Sequence, residues 1–346
     1  MAYFSPLTQR RIRIFRHHRM AFPACVVFLS ILILSSVAEF IANDKPLLIL
    51  TAEKTYFPGA LTYSEKDFGG ELETTPDYRS AYFTTLMHEQ KAWILWPIIR
   101  YSYNTIDENL SDIPPTAPDS NHYLGTDDQG RDVLARVIYS VRLSLYFGLI
   151  LASLSTVIAI ALGAIQGYYG GKIDIILQRF TEIWSGLPVL YIIIILGTFV
   201  TPSFWWLLLI LLLFRWLSLV NLVRAEFLRG RNLGYVKAAK SMGIPNYLII
   251  TRHILPNAMI STITYLPFMI NGSISLLTSL DFLGFGLPPG SPSLGEILSQ
   301  GKNNLYAPWL GGVGFFVLAT LLSILIFIGE GVRDAFDPRT SVDHTS

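Results

Sequence analysis

Six long apolar runs, separated by polar stretches, organise this chain of 346 residues. They cover residues 21–38, 144–168, 183–201, 204–222, 258–280 and 309–329, and only the fourth contains a charge, Arg215. A helix needs about 20 apolar residues to cross a hydrocarbon core ~30 Å thick, so each run predicts a transmembrane helix. Pro188 predicts a kink in the third helix, one that neighbouring helices can fill. Pro202 and Ser203 alone separate the third run from the fourth, which predicts a tight hairpin. Gly163, Gly167, Gly170 and Gly171 lie near the end of the second run. Small residues spaced four apart let helix backbones approach closely in lipid.

The polar stretches give the orientation. Residues 1–20 carry five arginines (10, 11, 13, 16 and 19) and no acid, which keeps the N-terminus in the cytoplasm. A cleaved signal peptide is the rival reading, because Ser36-Val37-Ala38 resembles a cleavage site. Phe22-Pro23-Ala24 before Cys25 imitates a lipoprotein site, but the apolar run follows the cysteine, so a buried thiol is expected. Between the fourth and fifth runs, residues 223–257 hold Arg224, Arg229, Arg231, Lys237, Lys240 and Arg252 against Glu226, again a cytoplasmic signature. Lys172 and Arg179 mark a cytoplasmic turn. Glu330, Arg333 and Arg339 begin and punctuate a cytoplasmic tail over 331–346.

Residues 43–122 then fall outside. They contain 12 acids and 6 Lys/Arg, net −6 by difference, with many tyrosines and prolines. This reads as a loop-rich, partly folded insertion that packs on its own chain or on a partner. Trp93 to Ile99 is either part of that packing or an aromatic anchor at the membrane interface. Residues 121–145 follow with Val133, Leu134, Val137, Ile138 and Val141 at helical spacing and Arg131, Asp132, Arg136 and Arg142 between them. That pattern predicts an amphipathic helix capped at Thr126 or Asp127. It serves an interface or partner surface, or merely leads into the next span. The organisation expected is therefore a basic N-terminus (1–20), a first span (21–42), an external insertion with its interface helix (43–143), a core of five spans (144–330) and the tail.

Two features inside the spans invite function. Arg215 lies about two turns from the cytoplasmic end, where a long side chain can snorkel to water. The fifth run is the most polar, and Asn271, Ser275 and Thr278 fall on one helical face, as a pathway lining would.

Composition narrows the chemistry. Apolar residues make up 51%, charged residues 15%, and mean hydropathy is +0.45, the balance of a membrane protein. A net charge of +1 with no dense basic cluster gives no reason to expect nucleic acid. One cysteine excludes an internal disulfide, and six histidines show no metal-ligand spacing beyond the adjacent pair. Gly-Lys occurs at 171–172 and 301–302, but Ile173 and Asn303 follow where a P-loop needs Ser or Thr. Glu182, Asp281 and Glu330 sit at span ends, so no acid occupies mid-membrane as proton-coupled carriers require. Energy comes from a partner, or transport is passive. An ion-coupled or passive secondary carrier predicts midplane ionisable groups and inverted repeats, and neither is visible. A membrane-anchored sensor leaves the polar fifth run and the basic stretch unexplained.

The basic stretch carries a resemblance. Tyr235 to Asn257, YVKAAKSMGIPNYLIITRHILPN, resembles the EAA loop of bacterial ABC importer permeases. Leu124 to Arg136, LGTDDQGRDVLAR, resembles the segment before the second span in C-type permeases of dipeptide and oligopeptide importers. Thr278 to Pro288, TSLDFLGFGLP, with Pro292 to Gly295, PSLG, belongs to the same family. Together these motifs cover 121–338. Ile41 to Leu47, IANDKPL, and the long insertion are similar to the branch that imports oligopeptides and microcin C.

The resemblance implies an all-α, six-span, type I ABC importer permease fold with a large periplasmic insertion between the first two helices. It implies a bacterial inner-membrane location with both termini cytoplasmic. The implied partners are a homologous B-type permease, cytoplasmic ATPase domains that bind ATP-Mg in place of any cofactor here, and a periplasmic peptide-binding protein; peptide is the implied substrate. Tyr235, Lys237, Ala238, Ala239, Gly243 and Pro256 become coupling residues: the alanines permit close approach, Gly243 ends the helix and Pro256 sets the entry into the fifth span. Gly125, Asp127, Gly130, Arg131 and Asp132 become the periplasmic motif. One departure matters: the family's usual Glu before the Ala pair is Lys237 here.

Overall fold

The computed structural model describes residues 6–52, 54–110 and 112–337; the outermost residues of both expected cytoplasmic ends, with Arg339, lie outside them. The chain divides into two compact units. One comprises Met1–Ser30, Leu145–Pro288 and Ala319–Ser346, the other Ile31–Ser144 and Pro289–Leu318.

The first unit is helical. Its N-terminal pair, α1 (Pro6–His17) and α2 (Ala21–Ser36, which continues into the second unit), bends by 86°. His18 makes the corner: its Nδ1 accepts the amide N–H groups of Met20 and Ala21, at 3.3 and 3.1 Å. Cys25 in α2 is half-buried rather than buried.

Among the described residues, four helical stretches are long and apolar enough to cross a membrane: Val133–Tyr169, Phe204–Gly230, Asn246–Phe282 and Pro308–Phe336. Six spans result if each bent helix pair is one span. Several boundaries differ from expectation. The third span is a broken pair, residues 171–185 and 189–197, bent by 64°. Pro188 caps the second half in extended backbone, so the expected kink is a full break. The turn expected at Lys172 is already helix. The fourth span breaks at Arg215 and resumes to Gly230.

In the second unit, α3 (Ala38–Ile41) leads into the insertion. A three-stranded antiparallel sheet there has the order β2-β1-β3, built from β1 (Leu48–Leu50), β2 (Thr55–Tyr56) and β3 (Trp93–Leu95). Ile49 faces Tyr56 on one side and Ile94 on the other. The sheet and α4 (Ala81–Glu89) enclose Ile49, Phe68, Tyr78, Phe83 and Met87. Phe68, Tyr78 and Phe83 meet edge to face with centroids 5.0–6.0 Å apart. Edge-to-face geometry is the favourable one for aromatic pairs. The insertion thus packs in part on its own chain, its aromatics forming a small core, and Trp93 to Leu95 is a strand of its sheet.

The remaining helices follow in order: α5 (Val133–Tyr169), α6 (Gly171–Ser185), α7 (Val189–Gly197), α8 (Phe204–Arg215), α9 (Leu217–Gly230), α10 (Gly234–Ser241), α11 (Asn246–Leu248), α12 (Leu255–Phe282), α13 (Leu294–Asn303) and α14 (Pro308–Phe336). A π-helical turn over Ile249–Ile254 joins α11 to α12.

The glycine spacing in α5 brings it against α9. A Cβ at Gly163 would lie 2.9 Å from the Val220 carbonyl oxygen, and one at Gly167 would lie 2.5 Å from that of Arg224. Arg224 also forms a two-pronged ion pair with Asp174 of α6, at 2.5 and 2.7 Å. Gly167→Leu should therefore cost about 1–3 kcal/mol by overpacking. Gly197→Leu, where nothing lies within 4 Å, should stay within about 0.5 kcal/mol. Melting temperatures of the detergent-purified protein check both.

Candidate coupling site and the buried motif

Helix α10 is eight residues long and presents two faces. Val236 and Ala239 turn inward, with Ala239 only 2% exposed. Lys237, Ala238 and Lys240 point out. Of the Ala pair, Ala239 is therefore covered by its own unit and Ala238 is left exposed.

The end of α10 is a Schellman closure. The Gly243 N–H donates to the Lys240 carbonyl (3.1 Å) and the Ile244 N–H to that of Ala239 (3.2 Å). Gly243 has φ +77°, the left-handed region that favours glycine. At the other end the Tyr235 hydroxyl donates to the His253 carbonyl (3.2 Å) and accepts from Asn257 Nδ2 (3.1 Å). These contacts tie α10 to the π-helical turn and the start of α12. Pro256 occupies the first turn of α12, where a missing N–H costs least. Tyr168 of α5 donates to Asn246 Oδ1 (2.6 Å), fixing the return of the chain.

The expected pathway face is partly engaged within the unit. Asn271 Nδ2 donates to the Leu322 carbonyl of α14 (2.8 Å), and the Ser275 hydroxyl donates to the Asn271 carbonyl (3.0 Å). Thr278 is buried, and its hydroxyl has no hydrogen-bond partner among the described residues. Arg215 does not snorkel. Its Nε donates to Ser273 Oγ (3.2 Å) and one terminal nitrogen to the Met269 carbonyl (3.0 Å), with the guanidinium against Gly272. It pins α8 to α12 where the fourth span breaks.

The motif at 125–132 differs most from expectation. The helix starts at Val133, not at 127, and its cap is Asp132, whose Oδ1 accepts the Ala135 N–H (2.7 Å). Gly125 and Gly130, with φ +76° and +78°, shape the loop before it. Asp127 is completely buried and holds that loop, accepting the N–H groups of Gln129 and Arg131, both at 2.9 Å. Its other oxygen meets Arg131 Nε (2.6 Å) and Arg136 Nε (3.3 Å). Glu296 of α13 faces both arginines, at 3.3 and 3.0 Å. Arg136 also donates to the carbonyls of Tyr103 and Ser291. The arginines read as the polar face of an interface helix are thus interior ion-pair partners. Their acid, Glu296, lies far along the chain and carried no local signal beyond the Ser293 helix cap.

A second buried chain of groups adjoins the first. His122 Nδ1 lies 2.8 Å from Asp132 and Nε2 3.3 Å from Asp107, which also meets the Tyr101 hydroxyl (2.9 Å) and Arg79 (3.4 Å). Burial pulls the His122 pKa down, but hydrogen bonds and charge from Asp132 and Asp107 outweigh it and hold His122 above its usual range. Burial likewise opposes the Asp107 charge, but the Asn109 N–H, the Tyr101 hydroxyl and Arg79 keep Asp107 below the usual carboxylate range. Tyr101 is pushed up to about 12 by burial and by Asp107. Among the described residues no group of three His, Cys, Asp or Glu side chains is placed to hold a metal ion.

Long apolar helices, a short basic helix tied to the start of α12 and a folded insertion are the architecture of an integral membrane protein. Residues 159–342 match the binding-protein-dependent transport system inner membrane components, and the chain belongs to that family. It is 52% identical to the inner membrane ABC transporter permease protein YejE of Escherichia coli K12, across 99% of this chain and 100% of that one. It is 49% identical to the peptidoglycan transport system permease protein YejE of Agrobacterium fabrum, across 97% and 94%. The oligopeptide transport system permease protein OppC of Haemophilus influenzae is 35% identical over 69% of this chain and 77% of its own length. Among solved structures, an inward-facing MetNI methionine ABC transporter chain superposes with TM-score 0.50 at 15% identity, over 58% of this chain and 96% of that one. That likeness concerns the fold alone. The chain is an ABC importer permease of the inner membrane, as the resemblance in its motifs implied.

Two measurements test the buried groups. Asp127→Asn leaves two buried arginines facing one acid and should cost about 3–5 kcal/mol, read as a lower melting temperature. His122, with a raised pKa, contributes stability that is full below about pH 6.5 and is lost as pH rises through its raised value. Asp107 contributes stability that is lost only as pH falls below the usual carboxylate range. The melting temperature should therefore decline above about pH 6.5, and His122→Asn should flatten that decline.

Proposed function

We propose that this chain forms one half of the translocation pathway of an ATP-driven peptide importer, the other half being a homologous permease. Both termini and α10 lie on the cytoplasmic side in this reading, and the insertion faces the periplasm. A periplasmic binding protein delivers the peptide, and ATPase domains that bind ATP-Mg supply the energy. The names of the relatives, oligopeptide, dipeptide and peptidoglycan permeases among them, favour peptides and peptide-bearing cell-wall fragments. Microcin C-like peptides are of the same chemical class.

The observation that carries this reading is the construction of α10. A short helix would fray in isolation, because nucleating a turn is costly. Here a Schellman closure, Tyr235 and two buried side chains hold it rigid, while Lys237, Ala238 and Lys240 stay exposed. A rigid surface helix with a flat, small-residue centre suits docking into a groove, where a methyl group allows close approach. ATP-driven closure of the docked domains would then move the spans as rigid bodies. Lys237 makes the contact positive where the family has a carboxylate, so its complement in the ATPase is an acid or a carbonyl. An ion-coupled carrier is disfavoured, since Arg215 lies against Ser273 and a backbone carbonyl rather than a titratable acid.

Ala238→Trp should lower ATP-dependent peptide uptake at least tenfold, the loss typical of a central interface contact. Insertion into the membrane, measured by blotting of membrane fractions, should be unchanged. Undiminished uptake in that variant would sink the docking role. Uptake by the purified chain without any ATPase would establish the carrier instead.

A further inference from the structure

The first unit contains a cavity of about 470 Å³ beside the coupling stretch. One face of α1 forms its wall through Leu7, Arg10, Arg11 and Ile14, the i, i+3, i+4, i+7 set of a helix. Arg229, from the end of α9, enters from the other side, and Tyr235 of α10 closes one edge. None of Arg10, Arg11 and Arg229 has a carboxylate within ion-pair range among the described residues. The wall also holds two acids, and both are engaged: Glu226 accepts the Ser261 hydroxyl (2.8 Å), and Asp337 has an interaction of its own. Arg11 lies over the Phe336 ring, 4.4 Å from its centre, which directs a positive charge at the cavity edge without neutralising it.

The location indicates the ligand. Helix α2 is the apolar span, and α1 departs from it at 86°, so α1 runs along the membrane surface. It has five basic side chains in or beside it and no acid, and its apolar side chains Leu7 and Ile12 remain exposed. A contact between His18 and Asp334 (3.3 Å) holds its end against α14. On that placement the cavity opens at headgroup depth, with arginines inside that meet no carboxylate among the described residues and apolar surface beside it.

We propose that this cavity binds the headgroup phosphate of an anionic phospholipid, and that the bound lipid braces α1 against α9 and Tyr235 of α10. Guanidinium groups match phosphate oxygens in pairs, and the exposed leucine and isoleucine accompany the acyl chains. The proposal goes beyond the transport reading and does not depend on the substrate.

The test uses the transporter purified with its partner subunits and reconstituted in phosphatidylcholine vesicles, with and without cardiolipin or phosphatidylglycerol. Lipid retained after detergent extraction is counted by native mass spectrometry. Each basic residue near a membrane surface contributes about fivefold to anionic-lipid affinity, so Arg10→Ala/Arg11→Ala/Arg229→Ala should lose roughly a hundredfold. Arg13→Ala/Arg16→Ala removes surface charge away from the cavity and should retain lipid. Arg10→Lys/Arg11→Lys/Arg229→Lys keeps the charge and should restore most binding, which separates lost charge from a displaced α1. Equal losses in the Arg13/Arg16 variant, or full retention in the alanine triple variant, would overturn the proposal. Displacement of the lipid by millimolar inorganic phosphate would mean that the site takes free phosphate, and would overturn the lipid assignment.

Discussion

Helix association in lipid has no hydrophobic driving force of its own, so the first unit depends on close backbone approach at Gly163 and Gly167. Those two positions admit the α9 backbone within the volume of a single methyl group. Once α9 lies there, its end delivers Gly230 against Ile254, and the π-helical turn and the start of α12 follow. Helix α10 hangs between these two elements. The surface with which the protein would meet its energy source is therefore positioned by glycines some seventy residues earlier in the chain.

Buried charge is handled in two ways. Asp127, Arg131, Arg136 and Glu296 form a closed set with two positive and two negative charges, and nearly every polar atom finds a partner. Taking ions from water is costly, and only complete pairing with added hydrogen bonds offsets it. Such a set specifies where α13 sits relative to the start of α5 more than it adds stability. Arg215 is the opposite case. It meets a hydroxyl and a carbonyl oxygen and no acid among the described residues, so its charge is solvated by neutral dipoles. It joins α8 to α12 beside Trp216, the single residue between α8 and α9.

Much of the architecture was legible in the residue pattern because the membrane imposes it. Apolar runs of the required length mark where spans lie, although not where they break, and glycines at four-residue spacing mark close packing. The coupling stretch was equally readable, down to Gly243, because a left-handed residue after a short helix leaves a local mark. Legibility ended where the partner of a residue lay far along the chain. Ala238 and Ala239 are identical in sequence, yet one is exposed and the other buried. The arginines at 131 and 136 read as a polar helical face because Glu296 is more than 150 residues away.

The insertion marks the same boundary. Its acidity and prolines point to a loop-rich, partly folded segment, and three strands of two or three residues each are too short to leave an alternating pattern that would locate the folded part. What holds them is the tertiary contact of Phe68, Tyr78 and Phe83, which no local propensity encodes. By itself, the sequence determined the number and extent of apolar runs, the charge asymmetry of the stretches between them and the family of the chain, since these follow from composition and local spacing. Only the tertiary structure decided which alanine stays exposed, which arginines are neutralised and where Arg215 points, since burial is a property of residues brought together from distant positions.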